Sequence, residues 1–288
     1  MSAAESFTLE ARGPFSLAES ARFAAGFSPT SHSIRPHGDG ELEIAFVPDG
    51  EERAVLLHVR EDGDGVTAHA AGGAPGTAAR HQLARILALD VDATGFPDVG
   101  GRDPVVGTLQ ERWPGFRPLG FPSPFEAGVW FLISQRTQFS HALKLKERLA
   151  GELGEHLGDL HAFPAPAALA GLGAVRGLPE VKRERIAALA AAAVEGKLHG
   201  EHLRALGPEA AIDELKRLPG VGDFTAQAIV VRGAGDPDWA PLAEPRLAVA
   251  VERAYSLTRP PSPEQIAEIA DAWRPFRSWV SVLLRRTV

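Results

Sequence analysis

At 288 residues the chain has room for one large or two ordinary domains, and 44% hydrophobic with 23% charged residues is the composition of a folded globular protein. The absence of cysteine excludes disulfides, thiolate zinc sites and cysteine-held iron–sulfur clusters. The net charge of −7 argues against a nucleic-acid partner, yet it is unevenly spread: residues 1–105 carry 16 acids and 8 Lys/Arg, whereas residues 106–288 carry 21 acids and 22 Lys/Arg. A neutral second part can bind DNA through local placement of charge, with modest salt-driven affinity. No apolar run reaches membrane-spanning length, and Met1-Ser2-Ala3-Ala4-Glu5 lacks a basic-then-apolar signal, so a cytoplasmic protein is expected.

In chain order, residues 7–12 alternate apolar and polar with a period of two and read as a strand. Ser16-Leu17-Ala18-Glu19 reads as a capping box opening a helix to about residue 27. Residues 41–47, 54–60 and 65–71 read as a strand meander with Asp/Gly turns, and residues 81–89 as a second helix. Residues 1–105 are thus expected to form an α+β layer with helices on one face of an antiparallel sheet.

Beyond residue 105 the strand patterns stop. Ser123-Pro124-Phe125-Glu126 and Ser262-Pro263-Glu264-Gln265 are two further helix starts, each with Ser at the N-cap and Pro in the first turn. Helical runs are expected over residues 124–138, 140–156, 166–172, 180–195, 209–217, 223–233, 245–255 and 264–285, an all-α domain spanning 106–288 in two lobes. Gly171-Leu172-Gly173 has neither the spacing nor the preceding strand of a dinucleotide site, and no Walker A motif or nucleophile elbow is present. His199 and His202, three apart beside Gly200, have no further ligand nearby and read as solvated loop residues, not a metal site.

The most informative segment is Leu218-Pro219-Gly220-Val221-Gly222, followed by Asp223-Phe224-Thr225-Ala226. It reads as helix, tight hairpin, helix. Two glycines let another backbone approach, and the second helix begins with unpaired N–H groups at a positive dipole end. Such a nest grips one phosphate of a nucleic-acid strand without reading sequence. A plain helix–turn–helix corner is the alternative.

With this hairpin, Leu178-Pro179-Glu180-Val181-Lys182-Arg183 and Trp273-Arg274-Pro275-Phe276-Arg277-Ser278-Trp279, the chain resembles the helix–hairpin–helix superfamily of DNA glycosylases, in its bacterial 3-methyladenine DNA glycosylase II (AlkA) branch. The resemblance covers nearly the whole chain. It implies an α+β N-terminal antiparallel-sheet layer plus an all-α helix–hairpin–helix glycosylase domain, acting in base-excision repair as a bacterial, nucleoid-associated monomer. The implied partner is double-stranded DNA containing a damaged, alkylated base, with no membrane. No cofactor is implied beyond a monovalent cation at the hairpin–phosphate contact.

The family's catalytic aspartate falls, counting without gaps from Arg232-Gly233, on Glu244 in Leu242-Ala243-Glu244-Pro245. The local pattern agrees on its place, since Pro245 suits a first helical turn and puts Glu244 at the N-cap. A carboxylate there can stabilise an oxocarbenium ion and orient the attacking water. Glutamate is longer by one C–C bond, about 1.5 Å. Asp236 and Asp238, in the preceding loop, are the alternative acids.

Members that also cut the strand carry a lysine where this chain has Phe224, so hydrolysis without lyase chemistry is implied. The hairpin contacts to DNA would come from Leu218, Gly220, Val221, Gly222 and Thr225. Flipping a base leaves a gap, and the matching loop offers Arg136, or Gln135 beside it, to fill it. A surface phosphate contact is the alternative for Arg136.

Pocket positions fall on Phe23, Phe224, Ala228 and Arg285, the last two where the AlkA pocket is aromatic. Phe23 and Phe224 are equally readable as apolar core, and Trp130, Trp273 and Trp279 read as core. A catalytically weak or inactive DNA-lesion binding protein of the same fold is the second reading of the whole chain. A hairpin used only for protein contact is the third.

Overall fold

The computed structural model describes residues 6–38, 40–71 and 75–288; Met1–Glu5, where a signal sequence was sought, lies outside them. Strands β1 (Ser6–Glu10), β2 (Ile34–Pro36), β3 (Glu41–Phe46), β4 (Val55–Asp62) and β5 (Gly65–Ala70) form one sheet in the order β1-β5-β4-β3-β2. Every neighbouring pair is antiparallel, with Phe7 opposite Ala68 and Ile44 opposite Leu57. The alternation expected for β3 is visible in its burial, Leu42 and Ile44 facing inward between half-buried Glu41 and Glu43. One strand, β2, carries no periodic signal because it is three residues long.

Two helices cover this sheet, α1 (Leu17–Gly26) and α2 (Thr77–Ile86), burying Leu17, Ala21, Leu83 and Ile86 against Leu42, Ile44 and Leu57. The expected α+β layer is therefore present. The second helix starts four residues earlier than expected, because Thr77 and Ala78 follow an extended Gly76 rather than a side-chain cap.

The helices that follow are α3 (Phe96–Arg102), α4 (Pro104–Arg112), α5 (Pro124–Ser134), α6 (Phe139–Leu153), α7 (Pro166–Ala170), α8 (Glu180–Val194) and α9 (Gly200–Leu206). The chain ends with α10 (Pro208–Leu215), α11 (Asp223–Arg232), α12 (Pro245–Ala254), α13 (Pro263–Ala270) and α14 (Arg277–Arg285). They bury two separate cores. One joins α5, α6, α8, α10 and α11 around Ile133, Leu145, Ile186, Leu189 and Ile229. The other joins α3, α4, α12, α13 and α14 around Val99, Leu247, Val251, Trp273 and Leu283. Residue 105 lies inside α4, and Phe96, Val99 and Val106 pack into this second core with Phe276, Trp279 and Val280.

Several local expectations are corrected. The helix over residues 264–285 is broken between Ala270 and Arg277, since Pro275 lacks an N–H and its ring obstructs the helical path. Short helices α3 and α9 have no side-chain cap to announce them. Beyond residue 105 there is also a small hairpin of β6 (His156–Leu157) and β7 (Leu160–His161), too short to show alternation. Only Ser262-Pro263-Glu264-Gln265 forms a full capping box. Ser16 and Ser123 accept the N–H groups of Glu19 and Glu126, but the glutamates turn elsewhere, Glu19 to Arg22 and Arg286, Glu126 to Lys146.

Two arginines tie the layers together. The buried Arg117 guanidinium donates to the carbonyls of Arg12, Gly13, Pro14, Ala88 and Val91, and burial lowers its pKa to about 10. Arg232, the last residue of α11, donates to Leu119 O at 3.0 Å, while its own carbonyl accepts the Phe121 N–H at 2.7 Å. At the α5–α8–α11 crossing, a Cβ on Gly128 would come 2.7 Å from Leu189, so glycine sets how closely α5 approaches.

Candidate functional site

The hairpin between α10 and α11 forms as expected. Gly220 has φ +80°, and a Cβ there would overlap the Arg185 side chain, so only glycine fits. Val221 anchors the turn in the core, its N–H donating to Leu218 O at 3.1 Å. Exposed Gly222 is the N-cap of α11 and brings no side-chain acceptor, so the first-turn N–H groups face outward without a cap. Lys216 Nζ sits 2.5 Å from Asp223 and clips the two helices together across the turn. Thr225 departs from the expected set: it is 2% exposed and turned inward, its Oγ1 3.2 Å from Gln135 Nε2.

Gln135 and Arg136, left as alternatives by the sequence, have separate places. Gln135 ends α5 and points at the hairpin, donating to Gly220 O at 2.9 Å while Arg185 donates to its Oε1 at 3.3 Å. Arg136 is exposed and held at φ +49°. That left-handed backbone is sparsely populated for a residue with a Cβ and needs outside support. Lys182 supplies it, donating to Ile133 O and Gln135 O, both at 2.6 Å, and to Thr137 Oγ1 at 2.5 Å. Burial pushes the Lys182 pKa down, and the charge of Arg185 adds to the shift.

Next to this loop an open cleft of about 550 Å³ runs between α1, α5, α11, α12 and α14. Its aromatic wall is Phe23, Phe27, Trp130, Phe131, Phe139 and Phe224. Phe224 meets Phe131 edge-on with centroids 5.6 Å apart, and Trp130 meets Phe139 edge-on at 5.6 Å. Phe23 is thus brought together with Phe224, Glu244 and Arg285 from the far end of the chain. Ala228 is not; although one turn beyond Phe224 on the same side of α11, it is buried and does not line the cleft. Trp130 is buried, as a core residue should be, and also lines the cleft. Trp273 and Trp279 belong to the second core.

Glu244 is the N-cap of α12. Its Oε1 accepts the Arg246 N–H at 3.2 Å and its Oε2 accepts from Arg285 Nη1 at 3.1 Å. The side chain is 13% exposed, and it is the one side-chain carboxylate among the described residues lining the cleft. The alternative acids serve elsewhere. Asp238 grips Arg277 at 2.9 and 3.1 Å, and Asp236 accepts the Asp238 N–H at 2.9 Å with its pKa pushed up by burial. Neither lines the cleft.

Phe27, Phe131, Phe139 and Arg232 line the cleft as well, and none of them is among the residues singled out from sequence. Phe139, half exposed at the start of α6, carries one local signal, an aromatic three positions after the exposed Arg136. In sequence Arg232 is a basic residue closing a helix. It is 8% exposed, with its guanidinium over the rings of Phe27 at 4.7 Å and Phe23 at 5.3 Å.

A larger cavity of about 840 Å³ opens between α2 and α9, away from the hairpin residues. Its charges are paired with one another, Arg85 with Asp49, His81 with Glu201 and Arg204 with Asp90. His199 and His202 border it, His202 bonded to Glu214, and no group of three or more His, Cys, Asp or Glu among the described residues is placed to hold a metal ion. No helix among the described residues is long and apolar enough to cross a membrane.

No family model matches the chain. Among curated proteins it is 25% identical over 209 residues to the DNA-3-methyladenine glycosylase of Bacillus subtilis, covering 69% of each chain. It is 32% identical over 182 residues to DNA-3-methyladenine glycosylase 2 of Escherichia coli, covering 60% of this chain and 61% of that one. It also matches a probable bifunctional transcriptional activator/DNA repair enzyme AlkA of Mycobacterium tuberculosis at 27% identity over 263 residues, spanning about half (49%) of that longer protein. Among solved structures, a 3-methyladenine DNA glycosylase from Archaeoglobus fulgidus superposes with a TM-score of 0.78 at 24% identity, over 97% of both chains. An 8-oxoguanine glycosylase/lyase of Clostridium acetobutylicum in complex with double-stranded DNA superposes with a TM-score of 0.64 at 16% identity, over 90% of this chain and 87% of that one. The chain has the helix–hairpin–helix DNA glycosylase fold, and within that superfamily it is AlkA-like.

Proposed function

We propose that the chain is a monofunctional DNA glycosylase of base-excision repair, which flips an alkylated base out of double-stranded DNA and hydrolyses its N-glycosidic bond. The observation that carries this is Glu244, the one side-chain carboxylate among the described cleft-lining residues, set in an aromatic cleft beside the hairpin. The names of the sequence relatives support the same activity.

The free amides at the start of α11, from Gly222 to Phe224, grip one phosphate, and the base enters the cleft between Phe224 and the other rings. As the C1′–N bond breaks, its electron pair leaves with the base. The Glu244 carboxylate stabilises the positive charge left on the sugar and orients a water. The water oxygen bonds to C1′ and its proton is released, while the departing base takes up a proton.

Phe224 has no amine with which to form a Schiff base, so the strand remains uncut at the abasic site. A monovalent cation at the phosphate contact would rest on hairpin carbonyls. Leu218 O and Gly220 O each already accept one hydrogen bond, from the Val221 N–H and from Gln135, leaving a lone pair apiece. The donor set is compatible with such an ion. A monomer suffices for every step.

The test is Glu244→Gln, which keeps the shape of the side chain and removes its charge. Base release from a lesion-bearing duplex is expected to disappear while duplex binding stays. Unchanged release would sink the assignment of Glu244. Cleavage of the strand without alkali would contradict the monofunctional reading.

A second reading, lesion binding without chemistry, is favoured by one observation: both oxygens of Glu244 are already engaged, by Arg285 and by the Arg246 N–H. Lesion-selective binding with no base released from any damaged duplex, even at high enzyme concentration, would support it.

A further inference from the structure

The cleft is unusually rich in fixed positive charge. Arg22, Arg232, Arg246, Arg285 and Arg286 line it, against Glu244 as the one side-chain carboxylate among the described lining residues. Glu19, behind the wall, is shared between Arg22 and Arg286. Arg286 is further occupied by the rings of Trp113 and Phe116, at 4.6 and 4.7 Å. Arg246 is exposed at the mouth, where a DNA phosphate would meet it. Arg232 and Arg285 remain, flanking Glu244 from inside.

Three facts bear on what these two do to a base. First, the Glu244 charge is balanced by Arg285 at 3.1 Å, so the wall's anion is spent before a base arrives. Second, the aromatic faces that would attract a cation are already taken in part: the Arg232 guanidinium lies over both Phe27 and Phe23. Burial and the neighbouring Arg285 lower the Arg232 pKa only to about 9, which keeps it cationic at neutral pH. Third, the Nε groups of Arg232 and Arg285 are both buried donors without a hydrogen-bond partner. An unpaired buried donor is costly, and an acceptor on an entering group would relieve it once the side chains re-aim.

We infer, resting on the glycosylase reading above, that the cleft selects an alkylated base carrying no formal charge, and that Arg285 with Arg232 stabilises that base as it leaves. A cationic base, alkylated on a ring nitrogen, departs as a neutral molecule and needs no such help. An uncharged base departs with the bonding pair and becomes anionic until it gains a proton. Two guanidinium groups fixed beside the leaving position oppose entry of the first kind and lower the barrier for the second. The same arrangement gives Glu244 its extra reach, since the carboxylate must meet both Arg285 and the start of α12.

The experiment compares two duplexes, one holding a single 1,N6-ethenoadenine, which is uncharged, and one a single 7-methylguanine, which is cationic. Release is measured as kcat/KM relative to spontaneous loss, for the wild type and for Arg285→Leu. The expected result is a wild-type preference for ethenoadenine of at least about tenfold, shrinking by about tenfold or more in Arg285→Leu. A purely structural role for Arg285 would lower both substrates together and leave the ratio unchanged, which overturns the inference. Preferred release of 7-methylguanine by the wild type overturns it too, while leaving the glycosylase reading intact. Release of neither base, with both duplexes bound, overturns the two together.

Discussion

Arg285 Nη1 lies 3.1 Å from Glu244 Oε2, while the other oxygen of the same carboxylate accepts the Arg246 N–H at 3.2 Å. One side chain therefore caps α12 and reaches α14. Aspartate, about 1.5 Å shorter, could do the first and not the second.

Glu244→Asp separates those two duties. Aspartate is a favoured N-cap, so stability is expected to stay within about 0.5 kcal/mol of wild type. Contact with Arg285 is lost and the carboxylate retreats from the cleft, so base release is expected to fall on the order of a hundredfold. Single-turnover release and thermal melting, measured together, check this. Release equal to wild type would show that the longer reach is dispensable.

Arg136 is exposed at the tip of a loop whose backbone is fixed by Lys182, while Gln135 is turned into the hairpin. Under the proposed reaction, Arg136 is the residue of this pair expected to enter the gap left by a flipped base. Arg136→Ala is expected to reduce release from a fully paired duplex by about tenfold and to spare a lesion placed in an unpaired bulge, where little pairing has to be broken. Lys182→Met should show the same substrate pattern together with a stability loss of about 2 kcal/mol, because it strands the carbonyls of Ile133 and Gln135. Equal losses on paired and unpaired substrates would indicate a phosphate contact instead.

The strands β3 to β5 were legible because alternation and Asp/Gly turns act over a few adjacent residues. The hairpin and Glu244 were legible for a similar reason, each set by local backbone chemistry at a fixed spacing. Residues whose roles depend on distant neighbours were not. Arg232 closes a helix in sequence but is buried against Phe23 and Phe27 from the other layer. Glu126 has the spacing of a capping box, yet its carboxylate answers Lys146, twenty residues away on α6. Short β2, α3 and α9 are not legible because three to seven residues hold too little period, and Ala228, spaced one turn from Phe224 like a pocket residue, is buried outside the cleft.

Glu126 and Lys146 form a fully buried ion pair, Nζ to Oε1 at 2.5 Å, and the same ammonium donates to Pro29 O at 2.5 Å. Burial pushes the Glu126 pKa up and the Lys146 pKa down, each partly countered by the other. Glu126→Gln leaves the ammonium without its counter-charge and is expected to cost about 3–5 kcal/mol. Replacing both residues with methionine should recover most of that loss. Because Pro29 lines the cleft, the single variant should also weaken lesion binding, and the double variant should not restore it. Denaturant midpoints and duplex affinities for the two variants check both parts.

Asp236 gives the pH dependence a definite sign. Burial raises its pKa above the ordinary carboxylate value, outweighing the hydrogen bond from the Asp238 N–H and the charges of Arg204 and Arg277. Between the unfolded value, about 3.9, and the raised folded value, the native state binds more protons than the unfolded chain. This residue's contribution to stability therefore falls as pH climbs through that interval, and the penalty is fully present at neutral pH. Asp236→Asn removes the charge and keeps an acceptor for the Asp238 N–H, so a rise of about 1–3 °C in Tm is expected at pH 7. The gain should vanish below about pH 3, where the carboxyl is protonated in both states. A rise that persists there would mean that the gain does not come from removing the charge, and a fall at pH 7 would mean that Arg204 and Arg277 stabilise the charge of Asp236 more than burial penalises it.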